Sequence, residues 1–204
     1  MTPKVSIITT VYDRVDCLAR CLRAVGHSEF TDLEQIVVSD APPPPVLAAI
    51  ARLVEHAGPR VRHLNLSRRT NNWGRSPART GLRAAVGDYV CFLSDDNAYL
   101  PGHLAPLVRA LDLDPGLGFV YSSCQYAGRK ELRWAPPAGA RIDLGQPLFR
   151  RLVLRDEDLE FDEFAWDWRL IGSLMERGVR WQHVDELSFI FRLAAYPALV
   201  KALA

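Results

Sequence analysis

Lysine is scarce in this chain of 204 residues, in which Lys4, Lys130 and Lys201 are the only lysines among 25 lysines and arginines. The formal net charge is only +1, so no broad basic field favours binding to nucleic acid or to a membrane surface. No apolar run approaches the ~20 residues that a membrane-spanning helix needs, and the N-terminus lacks the charged and apolar regions of a signal peptide. These absences predict a cytoplasmic globular protein without a transmembrane segment; peripheral membrane association is compatible with them.

Cysteine is also rare, with four residues, and no two of them form a CxxC pair. Cys17 and Cys21 are four residues apart and would stack on one helix face, while Cys91 lies within an apolar strand pattern. Because no second ligand pair has a suitable spacing, the sequence argues against a zinc site. The cysteines are instead interpreted as small buried side chains in a reducing compartment.

Strand and helix patterns alternate over the first two thirds of the chain. The predicted strands cover residues 4–12, 34–40, 60–66, 88–94 and 118–124, and the predicted helices cover 13–26, 46–57, 76–87 and 102–112. This rhythm predicts an α/β fold with a mostly parallel sheet that carries helices on both faces.

The alternation stops after Gly128, and the last third of the chain has a different pattern. Residues 128–163 contain three prolines and are predicted to be rich in loops, followed by a helix over 166–177. Two short strands are predicted over 179–184 and 187–192. We find no linker or internal repeat, so a single domain with a differently organised C-terminal third is predicted.

The stretch GDYVCFLSDDNAYLP raises the question of why a buried strand ends on two adjacent carboxylates, Asp95 and Asp96. Two other predicted strands also end on polar groups, the first at Thr10 and Tyr12 and the second at Asp40. In open parallel sheets, ligands bind beyond the carboxyl ends of the strands. Two adjacent carboxylates repel each other unless a cation or hydrogen-bond donors hold them. Together these strand ends indicate a site for a nucleotide and a divalent metal.

Each of these residues also has a purely structural interpretation. Asp95 and Asp96 could form a turn and the N-cap of the next helix, and for the pair alone that interpretation is preferred. Asp40 could simply end a strand before a proline-rich turn, and Tyr12 could belong to the core. The coincidence of several polar strand ends is what favours the site.

The stretches KVSIITTVYDRVDCLARCL, EQIVVSDAP, ARTGLRAAVGDYVCFLSDDNAYLPGHL and FAWDWRLIGSLMERGVRWQHVDE occur in the order expected of a family 2 glycosyltransferase with the GT-A fold. The chain resembles that family over nearly its whole length. The resemblance implies a Rossmann-like GT-A domain over 1–204, with a nucleotide-sugar-binding half, 1–97, and an acceptor and catalytic-base half, 98–204. It also implies inverting transfer of a sugar from a nucleotide diphosphate sugar with the help of Mn²⁺ or Mg²⁺.

The resemblance carries over to individual positions of this sequence. The nucleotide-sugar-binding residues that it implies are Thr10, Val11, Tyr12, Asp40, Arg75 and Asp95. Asp40 would accept a hydrogen bond from the base, typically from N3–H of uracil or thymine, so a UDP- or dTDP-sugar is favoured. Asp95 would face the ribose or the water shell of the metal, and Asp96 would ligate the metal.

Asp167 matches the aspartate of the family's ED motif, which implies that it is the catalytic base. Several positions depart from the family pattern. Trp166 replaces the glutamate before that aspartate, Arg79 stands where asparagine is common, and Ala194 stands where a histidine ligand is often found. His183 is either a packed strand residue or a substitute for that missing ligand. Asp167 itself has the alternative role of a helix N-cap.

Two other functions are compatible with parts of the sequence. A nucleotidyltransferase shares carboxylates and metal, but residues 9–16 lack the glycine-rich phosphate loop that such enzymes usually carry. A non-catalytic, glycan-binding subunit would explain the altered motifs. The donor sugar is not readable, and polysaccharide, lipid-linked glycan, protein and small-molecule acceptors all stay open.

Trp73 is a candidate for lining the donor pocket. His103 is predicted to be solvated, and the acidic residues between 156 and 160 are predicted to form a solvated loop.

Overall fold

The computed structural model describes residues 2–126, 130–132, 137, 142–160 and 165–192. Within these ranges the strands are β1 Val5–Val11, β2 Leu33–Ser39, β3 Val61–Asn65, β4 Tyr89–Phe92, β5 Ala98–Tyr99, β6 Leu117–Tyr126, β7 Lys130–Leu132, β8 Pro147–Arg150 and β9 Arg180–Phe191. The helices are α1 Val15–Gly26, α2 Pro44–Ala57, α3 Arg75–Ala84, α4 Leu104–Leu113 and α5 Trp166–Glu176. None of these helices is long and apolar enough to cross a bilayer.

All strands belong to one sheet with the order β3-β2-β1-β4-β8-β6-β9-β5, and β7 pairs with β6. The strands β3, β2, β1 and β4 are parallel, as the alternating pattern predicts. β1 lies between β2 and β4, with Val11 opposite Ser39 and Ile8 opposite Phe92. The chain segments that follow β1, β2 and β4 therefore leave the sheet at the same edge.

Neighbouring side chains of β1 enter different hydrophobic cores. Ile7 packs with Cys21 of α1 and Leu107 of α4 on one face of the sheet. Ile8 packs on the other face, in the same cluster as Leu170 of α5. Because Ile7 and Ile8 are both fully buried, the strand is apolar on both sides. The α/β fold with helices on both faces is thus confirmed.

α3 approaches β1 closely because Gly81 has no side chain. A Cβ atom at Gly81 would overlap the side chain of Ile8. At the start of the same helix, Gly74 has φ of 80° and a Cβ there would lie 3.0 Å from Thr10 Oγ1. The two glycines hold the beginning of α3 against the end of β1, at the edge where the candidate site residues emerge.

The prediction of loops over 128–163 is wrong for residues 147–150, which form β8. This strand lies in the middle of the sheet and runs antiparallel to β4 and β6. Phe149 is fully buried opposite Val90 and Phe119. Pro147 is the first residue of the strand, a position at which proline is tolerated, so its presence did not exclude a strand. The two short strands predicted over 179–192 are one strand, β9, which pairs with β6 through an irregular register.

His103 is buried, so the prediction that it is solvated is wrong. It is 1% exposed, its ring stacks on that of Tyr99 with 3.8 Å between centroids, and its Nδ1 lies 2.9 Å from Ser188 Oγ. Burial lowers the pKa of His103 to about 3, so the imidazole is neutral. The physical reason is β5, a two-residue strand that pairs with β9 and draws the following turn into the core.

Candidate active site

A crevice of about 440 Å³ opens where β1, β2 and β4 end. Such a volume is typical of a small-molecule site. The residues that line it are Thr10, Val11, Tyr12, Arg14, Asp40, Arg69, Asn71, Trp73, Gly74, Pro77 and Ser94. Four of the predicted donor-binding residues and the candidate Trp73 are among them, and Asp95 directly follows the lining residue Ser94.

Tyr12 and Arg69 form a stacked pair inside the crevice. The Arg69 guanidinium carbon lies 3.8 Å from the centroid of the Tyr12 ring, and Arg69 Nη2 donates to Asn71 Oδ1 at 3.2 Å. A cation over an aromatic face is attracted by the ring even where, as for Arg69, the side chain is exposed. The pair brings a planar ring and a positive charge to one wall of the crevice, a combination that suits an anionic ligand with a planar base.

Asp40 organises the loop between β3 and α3. Its Oδ1 accepts hydrogen bonds from the backbone N–H and the hydroxyl of Thr70, both at 2.8 Å, and its Oδ2 accepts one from Asn71 N–H at 2.9 Å. Asp40 is only 6% exposed. The carboxylate follows β2 as predicted and faces the crevice, but much of its hydrogen-bonding capacity is used by this loop. An ionised carboxylate has about four acceptor positions, so one position on Oδ2 is left for a further donor.

Asp95 and Asp96 meet at Arg14, which sequence reasoning did not select. Arg14 donates from Nε to Asp95 Oδ2 at 3.2 Å, from Nη2 to Asp95 Oδ1, and from Nη1 to Asp96 Oδ2 at 2.6 Å. The side chain of Asp95 is 1% exposed, that of Asp96 is 26% exposed and that of Arg14 is 52% exposed. Asp95 and Asp96 do form a turn, closed by a hydrogen bond from Asn97 N–H to the Ser94 carbonyl at 3.1 Å, so that part of the structural interpretation is confirmed. They are not the N-cap of the next helix, since α4 begins only at Leu104.

The electrostatics of this group are dominated by burial. Burial raises the pKa of Asp95 to about 7, Arg14 opposes this shift with its positive charge, and the charge of Asp96 adds to it. A cation at the pair is therefore needed to keep both carboxylates ionised near neutral pH. The signal in the sequence was the arginine two residues after Tyr12, but nothing in the sequence indicated its distance from residues 95 and 96.

Asp167 lies in the first turn of α5 and is partly buried. Burial raises its pKa, while hydrogen bonds from backbone N–H groups, including that of Trp168 at 2.9 Å, oppose the shift. The N-cap position of the helix belongs to Ala165, so the interpretation of Asp167 as the N-cap is wrong. A partly buried carboxylate with a raised pKa has the properties of a general base.

Asp143 is a fourth carboxylate of this region and was missed by sequence reasoning. Its Oδ1 accepts a hydrogen bond from Gly145 N–H at 2.8 Å. Burial raises the pKa of Asp143 to about 7, and the negative charges of Asp167 and Asp96 raise it further. Both charges act in the direction expected of like charges, which disfavour the ionised form of Asp143.

Trp166, which replaces the glutamate of the family pattern, links the two sides of the site. Its indole Nε1 donates a hydrogen bond to the backbone carbonyl of Trp73 at 3.2 Å. Trp166 is 7% exposed and its ring meets that of Phe92 edge to face. Trp73 lines the crevice in a left-handed conformation with φ of 53°. The start of α5 is thus fastened to the loop that forms one wall of the crevice.

Arginines spaced four residues apart on α3 hold the segment before α5. Arg75 Nη1 donates to the carbonyl of Glu160 at 2.5 Å, and Arg83 donates to both carboxylate oxygens of Asp156. Arg79, at the position where asparagine is common, bonds both Asp156 and Glu160. Arg75, predicted to lie near the base or phosphates, is directed to Glu160 in this structure.

The acidic residues between 156 and 160 do not form a solvated loop. Asp156–Leu159 is a 3₁₀ turn in which Asp158 is buried. Asp158 accepts hydrogen bonds from Ser173 Oγ at 2.8 Å and from Arg177 Nη2 at 2.9 Å. The prediction failed because partners for these carboxylates come from α3 and α5, far away in sequence.

Whether a metal ion fits this site depends on the side chains that could ligate it. Within the described ranges, no group of three or more His, Cys, Asp and Glu side chains could hold a metal ion. His183 contacts Ser123 Oγ at 3.0 Å and packs against Tyr121, and Ala194 lies outside the described residues. Mg²⁺ is nonetheless usually bound by one or two carboxylates plus substrate phosphates. Asp96, partly exposed and already paired with a cation, fits such a donor-dependent ion and not a preformed protein cage.

Comparison with known proteins identifies the family. Residues 6–166 match the sequence profile of Glycosyl transferase family 2. The chain is 31% identical over 121 residues, 59% of its length, to the O-antigen biosynthesis protein RfbC of Myxococcus xanthus. It is 26% identical over 122 residues, 60% of its length, to GalNAc(5)-diNAcBac-PP-undecaprenol beta-1,3-glucosyltransferase of Campylobacter jejuni. These matches span only 9% and 38% of the two relatives.

Solved structures show the same fold at low identity. S. aureus TarS 1-349 superposes with a TM-score of 0.73 at 15% identity, covering 98% of this chain and 64% of TarS 1-349. The mannosyltransferase PcManGT from Pyrobaculum calidifontis, solved with GDP-Man and Mn²⁺, gives a TM-score of 0.73 at 18% identity, covering 95% of this chain and 58% of PcManGT. The profile match covers most of the chain and agrees with this fold. The protein therefore belongs to glycosyl transferase family 2 and has the GT-A fold.

Proposed function

We propose that the protein transfers a sugar from a nucleotide diphosphate sugar to an acceptor hydroxyl with inversion at the anomeric carbon, with Asp167 as the general base. One observation carries this proposal. Trp166 Nε1 donates a hydrogen bond to the carbonyl of Trp73, which lines the crevice, so the first turn of α5, which contains Asp167, adjoins the wall of the donor crevice. An inverting displacement needs a leaving-group side and a base side that face one reacting centre.

The donor would bind in the half formed by residues 1–97. Tyr12, next to Thr10 and Val11, would lie against the nucleoside. Asp40 would accept N3–H of uracil or thymine at the free position of Oδ2, which favours a UDP- or dTDP-sugar. Asp95 would face the ribose. Arg75 would act from the first turn of α3, next to Gly74 in the lining of the crevice.

Solved neighbours support a nucleotide diphosphate sugar as the class of donor. TarS has been solved with UDP-GlcNAc, and PcManGT with GDP-Man. The base is uracil in UDP-GlcNAc and guanine in GDP-Man, so these neighbours support a nucleotide diphosphate sugar as the donor but no particular base. The preference for uracil or thymine rests on Asp40 alone.

The chemical step requires charge stabilisation on one side and proton removal on the other. The acceptor oxygen forms a bond to the anomeric carbon while the bond from that carbon to the diphosphate oxygen breaks, and Asp167 takes the hydroxyl proton. Mn²⁺ or Mg²⁺ held by Asp96 would supply positive charge to the departing diphosphate. The raised pKa of Asp167 improves the driving force for proton removal, at the cost of a higher pH for full ionisation.

The acceptor would be met by residues 98–204. Polysaccharide biosynthesis is proposed because one matched relative is an O-antigen biosynthesis protein and another acts on a polyprenyl-linked glycan. A glycan or lipid-linked acceptor fits both, whereas nucleic acid is not proposed as a partner. The cytoplasm is the proposed compartment, since all four cysteines are free thiols.

A thermal-shift screen with UDP, dTDP, GDP and their sugars, with and without Mn²⁺, tests the donor. A ligand that binds only the folded protein raises its stability by mass action. We expect the largest shift with a uridine or thymidine diphosphate sugar together with Mn²⁺, and slow release of the corresponding diphosphate on incubation. A protein that binds none of these nucleotides, with or without the metal, would overturn the proposal.

A further inference from the structure

Arg14 differs from the other charged residues of the crevice because it bridges both members of the acidic pair. Its three hydrogen bonds reach both oxygens of Asp95 and one oxygen of Asp96. Asp95 is buried, so this part of the contact is shielded from solvent, whereas Asp96 and half of the Arg14 side chain stay accessible. The contact between Arg14 and Asp95 is thus shielded from solvent, whereas the contact between Arg14 and Asp96 is accessible to solvent and to ions.

The guanidinium places a positive charge on the carboxylate that would ligate a divalent ion. An ion that ligates Asp96 Oδ2 must share or displace the hydrogen bond from Arg14 Nη1, which is 2.6 Å long, and an ion that ligates Oδ1 lies on the same carboxylate beside the guanidinium. The like charge of the guanidinium disfavours the ion as well. In the absence of a donor, the site therefore already contains a cation of its own.

The same side chain has donors to spare for a diphosphate. A guanidinium carries five N–H donors in a fixed fork, and three of them bond Asp95 and Asp96. Arg14 also lines the crevice together with Tyr12 and Asp40. Its unused N–H groups can bind a phosphate oxygen in the crevice while Nε keeps its bond to Asp95.

We propose that Arg14 is a built-in counter-ion that competes with the divalent cation for Asp96, so that the cation binds tightly only together with a nucleotide diphosphate. The diphosphate brings negative charge and oxygen ligands, and it takes up N–H donors of Arg14. The inference rests on the proposed function, because it assigns the order in which that donor and its metal occupy the site. It makes Arg14 a positioning residue for the transfer.

A double variant tests whether Arg14 competes with the divalent cation for Asp96. Arg14→Gln alone would leave the buried Asp95 carboxylate without its partner, which is strongly destabilising. Arg14→Gln combined with Asp95→Asn removes both members of the buried pair, and it leaves Asp96 with the same formal net charge around it as in the wild type. Adding Asp96→Asn to the double variant is the control that reports Mn²⁺ bound elsewhere.

Free Mn²⁺ measured by EPR gives the affinity without any assay of activity. For Mn²⁺ alone, we expect the double variant to bind about tenfold more tightly than the wild type, with the gain lost in the triple variant. With UDP present, the wild type should gain more Mn²⁺ affinity than the double variant, because only the wild type has Arg14 to receive the diphosphate. Equal affinity of wild type and double variant for Mn²⁺ alone would overturn the inference.

Two further measurements keep the outcome unambiguous. If the double variant fails to fold by circular dichroism, Arg14→Lys replaces it, since one ammonium cannot span both carboxylates as the fork does. Equal Mn²⁺ affinity of Arg14→Lys and the wild type then overturns the inference. Calorimetry of wild-type binding to UDP, dTDP and GDP with Mn²⁺ tests the proposed function separately, because failure of all three counts against the donor site and not against the competition at Asp96.

Discussion

The donor side and the base side of the candidate site are built in different ways. The donor side follows directly from the ends of parallel strands, so that residues such as Tyr12, Asp40 and Asp95 meet because β1, β2 and β4 are neighbours. The base side depends on contacts between distant segments. The first turn of α5, which contains Asp167, is held beside the crevice wall by the hydrogen bond between Trp166 and Trp73 and by packing of Trp166 in the core.

This difference teaches that backbone topology alone places the candidate donor-binding residues, whereas side-chain contacts place the candidate base, Asp167. A change on the donor side should therefore affect binding, and a change on the base side should affect turnover. The following predictions test that division.

The largest effect is expected from Asp96→Asn. The neutral amide cannot ligate a divalent ion as well as a carboxylate, and it also loses its ion pair with Arg14. We expect kcat/KM to fall by ~10⁴-fold and the effect of Mn²⁺ on nucleotide binding to disappear. Steady-state kinetics and calorimetry with and without Mn²⁺ measure both. Retention of metal-dependent nucleotide binding would remove Asp96 from the donor side.

Asp167→Asn should separate turnover from donor binding. Loss of a positioned base typically lowers the rate by ~10²–10⁴-fold, and we expect this loss in kcat with the donor Kd changed less than about twofold. The matched control is Asp16→Asn, because Asp16 occupies the first turn of α1 as Asp167 occupies that of α5. A kcat of Asp167→Asn equal to that of the control would exclude Asp167 as the base.

The same division explains what could be predicted from the sequence. Apolar runs and helix periodicity located β1, β2, β3, β4 and the helices between them, and polar strand ends indicated the crevice. Arg14 was missed because only the folded chain brings it to Asp95 and Asp96, 81 and 82 residues away. Local pattern identifies residues at strand ends but not the partners that come from elsewhere.

The C-terminal third was harder to predict for physical reasons of its own. β8 has four residues and begins with Pro147, so its pattern is too short and too rich in proline to indicate a central strand. His103 was taken for a solvated residue because its burial depends on the pairing of β5 with β9. Asp143 stood in an irregular stretch, and the charges of Asp96 and Asp167 that act on it come from distant parts of the chain.

Asp143 should make stability depend on pH. Its folded pKa of about 7 lies above the ordinary value of 3.8, so the folded protein binds more protons than the unfolded chain between these values. Stability should therefore fall as the pH rises through this window. Asp95 has the same sign of shift. Asp143→Asn should reduce the loss between about pH 5 and about pH 8 by on the order of 2 kcal/mol.

Urea unfolding of the donor-free protein at the two pH values measures this dependence. The variant should be more stable than the wild type at both pH values and by more at the higher pH, because the unfolded wild-type carboxyl is already ionised at about pH 5 whereas the folded one ionises only near pH 7. An unchanged pH dependence in Asp143→Asn would show that the pKa of Asp143 is not raised in the folded protein.

The smallest effect is expected from Trp166→Phe, which removes the indole N–H but keeps an aromatic ring. The lost hydrogen bond to the Trp73 carbonyl should lower stability by about 1 kcal/mol. Because the bond fastens the start of α5 to the crevice, we expect kcat to fall by roughly threefold to tenfold while the donor Kd stays unchanged.

Trp168→Phe is the matched control, since Trp168 flanks Asp167 on the other side and packs against the same hydrophobic core. A merely structural role for Trp166 would lower stability in both variants and leave kcat of the folded fraction alike. A selective loss of kcat in Trp166→Phe would instead mean that the tryptophan in place of the family's glutamate positions the base through the donor-side loop. The base side would then depend on a single side-chain contact where the donor side depends on strand order.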